Sequence, residues 1–136
     1  MLSPGATELL GALTRRDIPR TIATSSEKEN LDFFVAHLGL ADWFDTSKLV
    51  YDDGLRPGKP APDAFLAAAR NIGVPPGECI VVEDALAGLE AARAAGIGHI
   101  IGIGPSHVHA KLLACDGVAT AIVSLSEFPR GLLPGI

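Results

Sequence analysis

At 136 residues and 14.1 kDa, with 48% apolar and 20% charged residues, the chain has the size and composition of one ordinary globular domain, which excludes a disordered polymer. Sixteen acidic residues against eleven Lys and Arg leave a net charge of −5 without any basic cluster, which argues against nucleic acid or an anionic membrane as a partner. No apolar run approaches the roughly eighteen residues of a membrane span, and the opening MLSPGATELL lacks the basic flank and apolar stretch of a signal peptide, so a cytoplasmic location is expected.

Along the chain, strand-like and helix-like segments alternate. Arg20–Thr24 is a short β-prone run, followed by Leu31, Phe34, Val35 and Leu38 at the spacing of one helix face, with Gly39 closing the helix. A weak strand at Leu49–Tyr51 leads through a Pro/Gly-rich loop to a helix with Phe65, Ala68, Ala69 and Ile72 on one face and Gly73 at its end. Cys79–Val82 is a continuous apolar run, the pattern of a strand buried on both faces of a parallel sheet, with Cys79 expected in the core. The helix after it places Ala85, Leu86, Leu89 and Ala92 inward and ends at Gly96. Strands at His99–Ile103 and Gly117–Val123 flank a short helix near 107–114, and Pro129–Ile136 reads as a loose end. Twenty alanines and seven aromatics suit helices packed closely on a sheet. The expected architecture is α/β with a parallel sheet, in a single domain over 1–136. Cys79 and Cys115, 36 positions apart, form neither a disulfide framework nor a zinc-ligand pattern, and both are expected to be reduced.

Ligands of open parallel sheets bind beyond the carboxyl ends of the strands, so the residues that follow each strand are the candidates. Thr24-Ser25-Ser26 offers three hydroxyls and backbone N–H donors at a strand-to-helix junction, a setting suited to an anion. Ser26 with Glu29 also fits a capping box, which would account for Ser26 structurally. Lys59 stands in a loop stiffened by Gly58, Pro60 and Pro62, where its ammonium can neutralise a phosphate oxygen; a plain turn with Asp63 at the helix start is the alternative. Glu83 and Asp84 end the most apolar strand, and beside a lysine and a hydroxyl cluster they match a hard-cation site, Mg²⁺ above all; Asp84 as an N-cap would account for one of them. Together the three positions describe a phosphate and magnesium pocket. His107 and His109 lack a third ligand, Gly102-x-Gly104 lacks the third glycine of a dinucleotide loop, Asp52-Asp53 has the look of an exposed turn, and Trp43-Phe44 that of a local apolar anchor.

In this order and at these intervals, Ile22-Ala-Thr-Ser-Ser26, Gly58-Lys-Pro-Ala-Pro-Asp63 and Val82-Glu-Asp-Ala-Leu-Ala-Gly88 resemble the second, third and fourth motifs of the haloacid dehalogenase superfamily, in its β-phosphoglucomutase and phosphoglycolate-phosphatase-like branch. Pro4-Gly5-Ala6 with Leu9-Leu10 is similar to the segment by which that family returns from its helical cap to the core. The resemblance implies a Rossmann-like three-layer core, a small phosphorylated metabolite as substrate and Mg²⁺ as cofactor. It puts Thr24 and Lys59 in the catalytic and phosphate-binding roles with Ser25 and Ser26 beside them, and Asp84 with Glu83 at the metal.

The family's nucleophile is the first Asp of an Asp-x-Asp motif, and none of the nine aspartates here is followed two positions later by another. The strand that bears that motif, central in the family's sheet between the strands of the second and fourth motifs, is not in this sequence, nor is the cap. The chain therefore resembles the electrostatic half of a Mg²⁺-dependent phosphatase or phosphomutase, with an inactive remnant or a phosphate-binding module as the alternative. A gap in the sheet or a rearranged sheet is expected, with exposed edges that favour aggregation, a homo-oligomer or pairing with a missing N-terminal segment. Glu27 follows Ser26 where phosphoglucomutase members tend to carry a lysine, so a generic phosphatase fits at least as well.

Overall fold

The computed structural model describes residues 4–133. Helix α1 (Ala6–Arg15) starts after Gly5 and buries Ala6, Leu9, Leu10 and Ala12, a periodic apolar face at the chain's start. Strand β1 (Ala23–Glu27) leads directly into α2 (Lys28–Leu38), and β2 (Val50–Asp52) pairs with β1 in parallel. Then follow α3 (Asp63–Ile72), β3 (Ile80–Glu83), α4 (Leu86–Ala94), β4 (His99–Ile103), α5 (His109–Ala114) and β5 (Val118–Ile122). Gly39, Gly73 and Gly96 adopt left-handed φ at the ends of α2, α3 and α4, as expected of helix-terminating glycines.

All pairings are parallel, but the strands form two sheets. One is β1-β2 and the other is β3-β4-β5. Among the described residues no backbone hydrogen bond joins β1 to β3, so the two sheets face each other across an unpaired seam, the gap the sequence implied. Helix α3 spans the seam from one side. Its Phe65 belongs to the apolar cluster of the three-stranded sheet, with Val81, Leu89, Ala91, Ala92, Ile100 and Leu112, while its Ala64, Ala67 and Ala68 cluster with Val50 of the two-stranded sheet. Ala23 touches both clusters. Small side chains on α3 and α4 let the helices lie close to the strands, and the fully buried Leu89, Ile100 and Ile101 each contribute about 1.5–3 kcal/mol of transfer free energy.

Several expected boundaries and faces move, each for a tertiary reason. The first strand lies at 23–27 instead of 20–24, because the ladder with Val50–Asp52 selects the later residues. Arg20 is drawn off to the carbonyls of Ile18 and Trp43, and the Thr21 hydroxyl to the carbonyl of Lys48. On α4 the buried residues are Gly88, Leu89, Ala91 and Ala92, whereas Leu86 is 48% exposed and Ala85 precedes the helix. On α2 only Leu31 is buried, and Phe34 stays 44% exposed. Strand β3 is not covered on all sides: Val81 is buried but Ile80, Val82 and Glu83 are half-buried, because β3 is the edge at the seam. Cys79 is half-buried ahead of the strand, its thiol directed at the carbonyl of Val74. The chain's end is not loose as far as it is described: 130–132 form a 3-10 turn and Leu133 is buried, while 134–136 and 1–3 lie outside the described residues.

Candidate phosphate site

The carboxyl ends of β1 and β2 and the loop before α3 enclose a cleft lined by Thr24, Ser25, Tyr51, Asp52, Arg56, Pro57, Gly58, Lys59 and Ala64. The capping box at Ser26 and Glu29 is not formed. Strand β1 runs on through Glu27, which takes the N-cap position of α2 without a side-chain cap. Instead, the Ser26 N–H donates to Thr24 Oγ1 at 3.1 Å. That bond uses an acceptor site of the Thr24 hydroxyl and leaves its proton free to donate to a ligand. Ser25 is exposed on the cleft; Ser26 is half-buried and does not line it.

Lys59 bridges the seam. Its Nζ donates to Ala23 O of β1 at 3.2 Å and to Glu83 Oε2 at the end of β3 at 3.1 Å, and it lies 4.8 Å from the centre of the Phe65 ring. The lysine and glutamate side chains are only 11% and 13% exposed, so the pair is shielded from water, in contrast to the four other ion pairs among the described residues. Three partners from three elements thus hold the ammonium at the cleft wall.

Glu83 and Asp84, adjacent in sequence, part company here. Both carboxylate oxygens of Glu83 are engaged, Oε2 by Lys59 and Oε1 by the Ala85 N–H at 3.2 Å. Asp84 is exposed and makes no hydrogen bond or ion pair among the described residues; it does not cap α4, whose N-cap is Ala85. No group of three or more His, Cys, Asp or Glu side chains is arranged to hold a metal among the described residues. Neither Glu83 nor Asp84 lines the cleft, and the single free carboxylate of Asp84 suits an ion such as Mg²⁺ that keeps several waters and takes phosphate oxygens as ligands, not one that needs an all-protein cage.

Arg56 is a cleft residue that the sequence reading missed. Its guanidinium donates to Tyr51 O at 3.0 Å and approaches Asp53 Oδ2 at 3.4 Å, tying the loop to β2. Its position three residues before Lys59 in Arg-Pro-Gly-Lys was the available signal. Asp52 and Asp53 are exposed and accept from the N–H groups of Gly54 and Leu55. Gly102 and Gly104 serve packing: a Cβ at either would press on Leu112 or Val108. His109 Nε2 bonds to Gly104 O at 2.8 Å, and His107 is exposed.

With this arrangement in view, comparison with known proteins settles the family. The model of the haloacid dehalogenase-like hydrolases matches residues 1–96. The chain belongs to that family. It is 46% identical over 79 residues to fructose-1-phosphate phosphatase YqaB of Escherichia coli K12, covering 58% of this chain and 41% of that protein. It is 34% identical over 132 residues to hexitol phosphatase A of the same organism, covering 94% of this chain and 58% of that one. A crystal structure of a family IA, variant 3 hydrolase from Entamoeba histolytica superposes with a TM-score of 0.91 at 38% identity, covering 96% of this chain and 58% of the other. The Rossmann-like core of the haloacid dehalogenase family is therefore the fold of this chain, which spans roughly half the length of these relatives. No helix among the described residues is long and apolar enough to cross a membrane.

Proposed function

We propose that this chain supplies the phosphate-binding half of a Mg²⁺-dependent phosphomonoester phosphatase or phosphomutase acting on a small phosphorylated sugar. The observation that carries the reading is Lys59, held by a strand carbonyl and a shielded carboxylate in a cleft that Thr24 and Ser25 also line. The names of the phosphatase relatives support the substrate class.

In this reading the Lys59 ammonium offsets the charge of the phosphoryl oxygens, and the free proton of the Thr24 hydroxyl donates to one of them. Ser25 adds a donor from the exposed side, while Arg56 keeps the loop in register with β2. Asp84 would be the chain's ligand to Mg²⁺, whose contribution when bound is to neutralise phosphoryl and leaving oxygens. Glu83, engaged by Lys59 and the Ala85 N–H, is better placed to orient Lys59 than to join the metal. Positioning and charge neutralisation carry much of phosphoryl transfer, but an attacking group is still required. No Asp-x-Asp occurs in this sequence, so we assign the attack to an aspartate on a further strand that completes the sheet at the β1–β3 seam, borne by a segment additional to these residues.

The test is calorimetric binding of inorganic phosphate with and without Mg²⁺ to the wild-type chain, Lys59→Ala and Asp84→Asn, beside hydrolysis of a generic phosphomonoester. The expected result is phosphate binding that Lys59→Ala abolishes and a Mg²⁺ enhancement that Asp84→Asn removes. Phosphate binding insensitive to both substitutions refutes the site. Binding without turnover, even after a peptide bearing an Asp-x-Asp strand is added, favours a phosphate-binding module, the reading to which the missing motif points.

A further inference from the structure

Glycine is disfavoured inside helices, yet Gly88 stands in the first turn of α4 with ordinary helical backbone, so its conformation does not call for glycine. Its surroundings do. A Cβ built on Gly88 would come within 2.5 Å of Glu83 Oε1 and closer still to Glu83 Cγ and Cδ. The Glu83 side chain therefore folds back from the end of β3 over the start of α4, into the volume that any other residue at 88 would occupy. In that posture one carboxylate oxygen meets the Ala85 N–H and the other meets Lys59.

We propose that Gly88 is a positioning residue for Lys59, acting through Glu83. The vacancy at 88 seats the glutamate, the seated glutamate fixes the ammonium, and the ammonium is thereby held at the cleft wall; that this placement serves phosphate rests on the function proposed above. A larger residue at 88 displaces the flexible end of Glu83 rather than the helix backbone, so the effect should appear at Lys59, 29 positions away in sequence, and not in the packing of α4.

The four lysines of the chain allow a direct test by amine acylation read residue by residue in the mass spectrometer. Lys59 is the shielded one, and Lys28, Lys48 and Lys111 are exposed internal references. In the wild-type chain Lys59 should label most slowly. Gly88→Ala should raise its labelling several-fold relative to the references, and Glu83→Ala should do the same. Because Glu83→Ala removes the atoms that a Cβ at 88 would strike, adding Gly88→Ala to it should change nothing further. Unchanged Lys59 labelling in Gly88→Ala, or an equal effect of that substitution in the Glu83→Ala background, overturns the proposal, as does a uniform rise at all four lysines. A separate arm adds inorganic phosphate to the wild-type chain: failure to slow Lys59 labelling would count against the phosphate site while leaving the Gly88–Glu83–Lys59 relay standing.

Discussion

The Lys59–Glu83 pair joins two sheets that share no backbone hydrogen bond, so its removal should cost stability as well as ligand binding. At 3.1 Å and an effective dielectric of about 20, the direct attraction is about 5 kcal/mol. Much of it is offset by the lost hydration of two side chains that are only 11% and 13% exposed. Lys59→Met leaves the Glu83 carboxylate shielded and unpaired, and also loses the contact with the Phe65 ring at 4.8 Å, so we expect it to cost about 2–4 kcal/mol. Glu83→Gln keeps the shape and one acceptor and should cost about 1–2 kcal/mol. Once either partner is gone the other charge is a liability, so the loss in the double variant should be smaller than the sum of the single losses by at least ~1 kcal/mol. Urea unfolding followed by far-ultraviolet circular dichroism on the four proteins measures this. Additivity within about 0.5 kcal/mol would refute the coupling and with it the idea that this pair closes the seam.

Other expectations follow from burial and backbone geometry. Leu89→Ala, at a fully buried position on α4, should cost about 2–5 kcal/mol in the same urea assay, whereas Leu86→Ala, 48% exposed on the same helix, should stay within about 0.5 kcal/mol; equal losses would contradict the face of α4 described above. Gly5 has φ +82° and a Cβ there would collide with the backbone of Leu125 and Ser126, so Gly5→Ala should cost more than ~2 kcal/mol. Gly54 has a similar φ of +73° but open surroundings, so Gly54→Ala should cost only about 1–2 kcal/mol, and thermal or urea midpoints compare the two. Burial, with the nearby Glu78 charge adding to it, pushes the Cys79 thiol above its ordinary pKa. Its thiolate fraction at a given pH is then smaller in the folded chain, so alkylation of Cys79 with iodoacetamide near pH 8 should be slower folded than in urea, and its rate-against-pH curve should be displaced upward; coincident curves would refute the burial.

Much of this protein is set by local features of the sequence. The glycines at 39, 73 and 96 end helices because only a residue without a Cβ takes left-handed φ at low cost, and that holds wherever the helix ends up. The run His99–Ile103 is a strand with the bounds its composition implies, because β4 is paired on both sides and nothing competes for its backbone. The order of hydroxyl cluster, loop lysine and paired acids is enough to indicate the family. What only the tertiary structure decided is which of those residues meet. Ala23, Lys59 and Glu83 are 36 and 24 positions apart, and their contact depends on how two crossover connections lay the sheets side by side. The same cause separates Glu83 from Asp84, turns Leu86 outward and leaves β3 half-buried at the seam. Short-range periodicity reports the stripe of a helix or strand, but the surface that covers it, or fails to, comes from residues distant in the chain, and at the β1–β3 seam the described residues supply no strand to cover it.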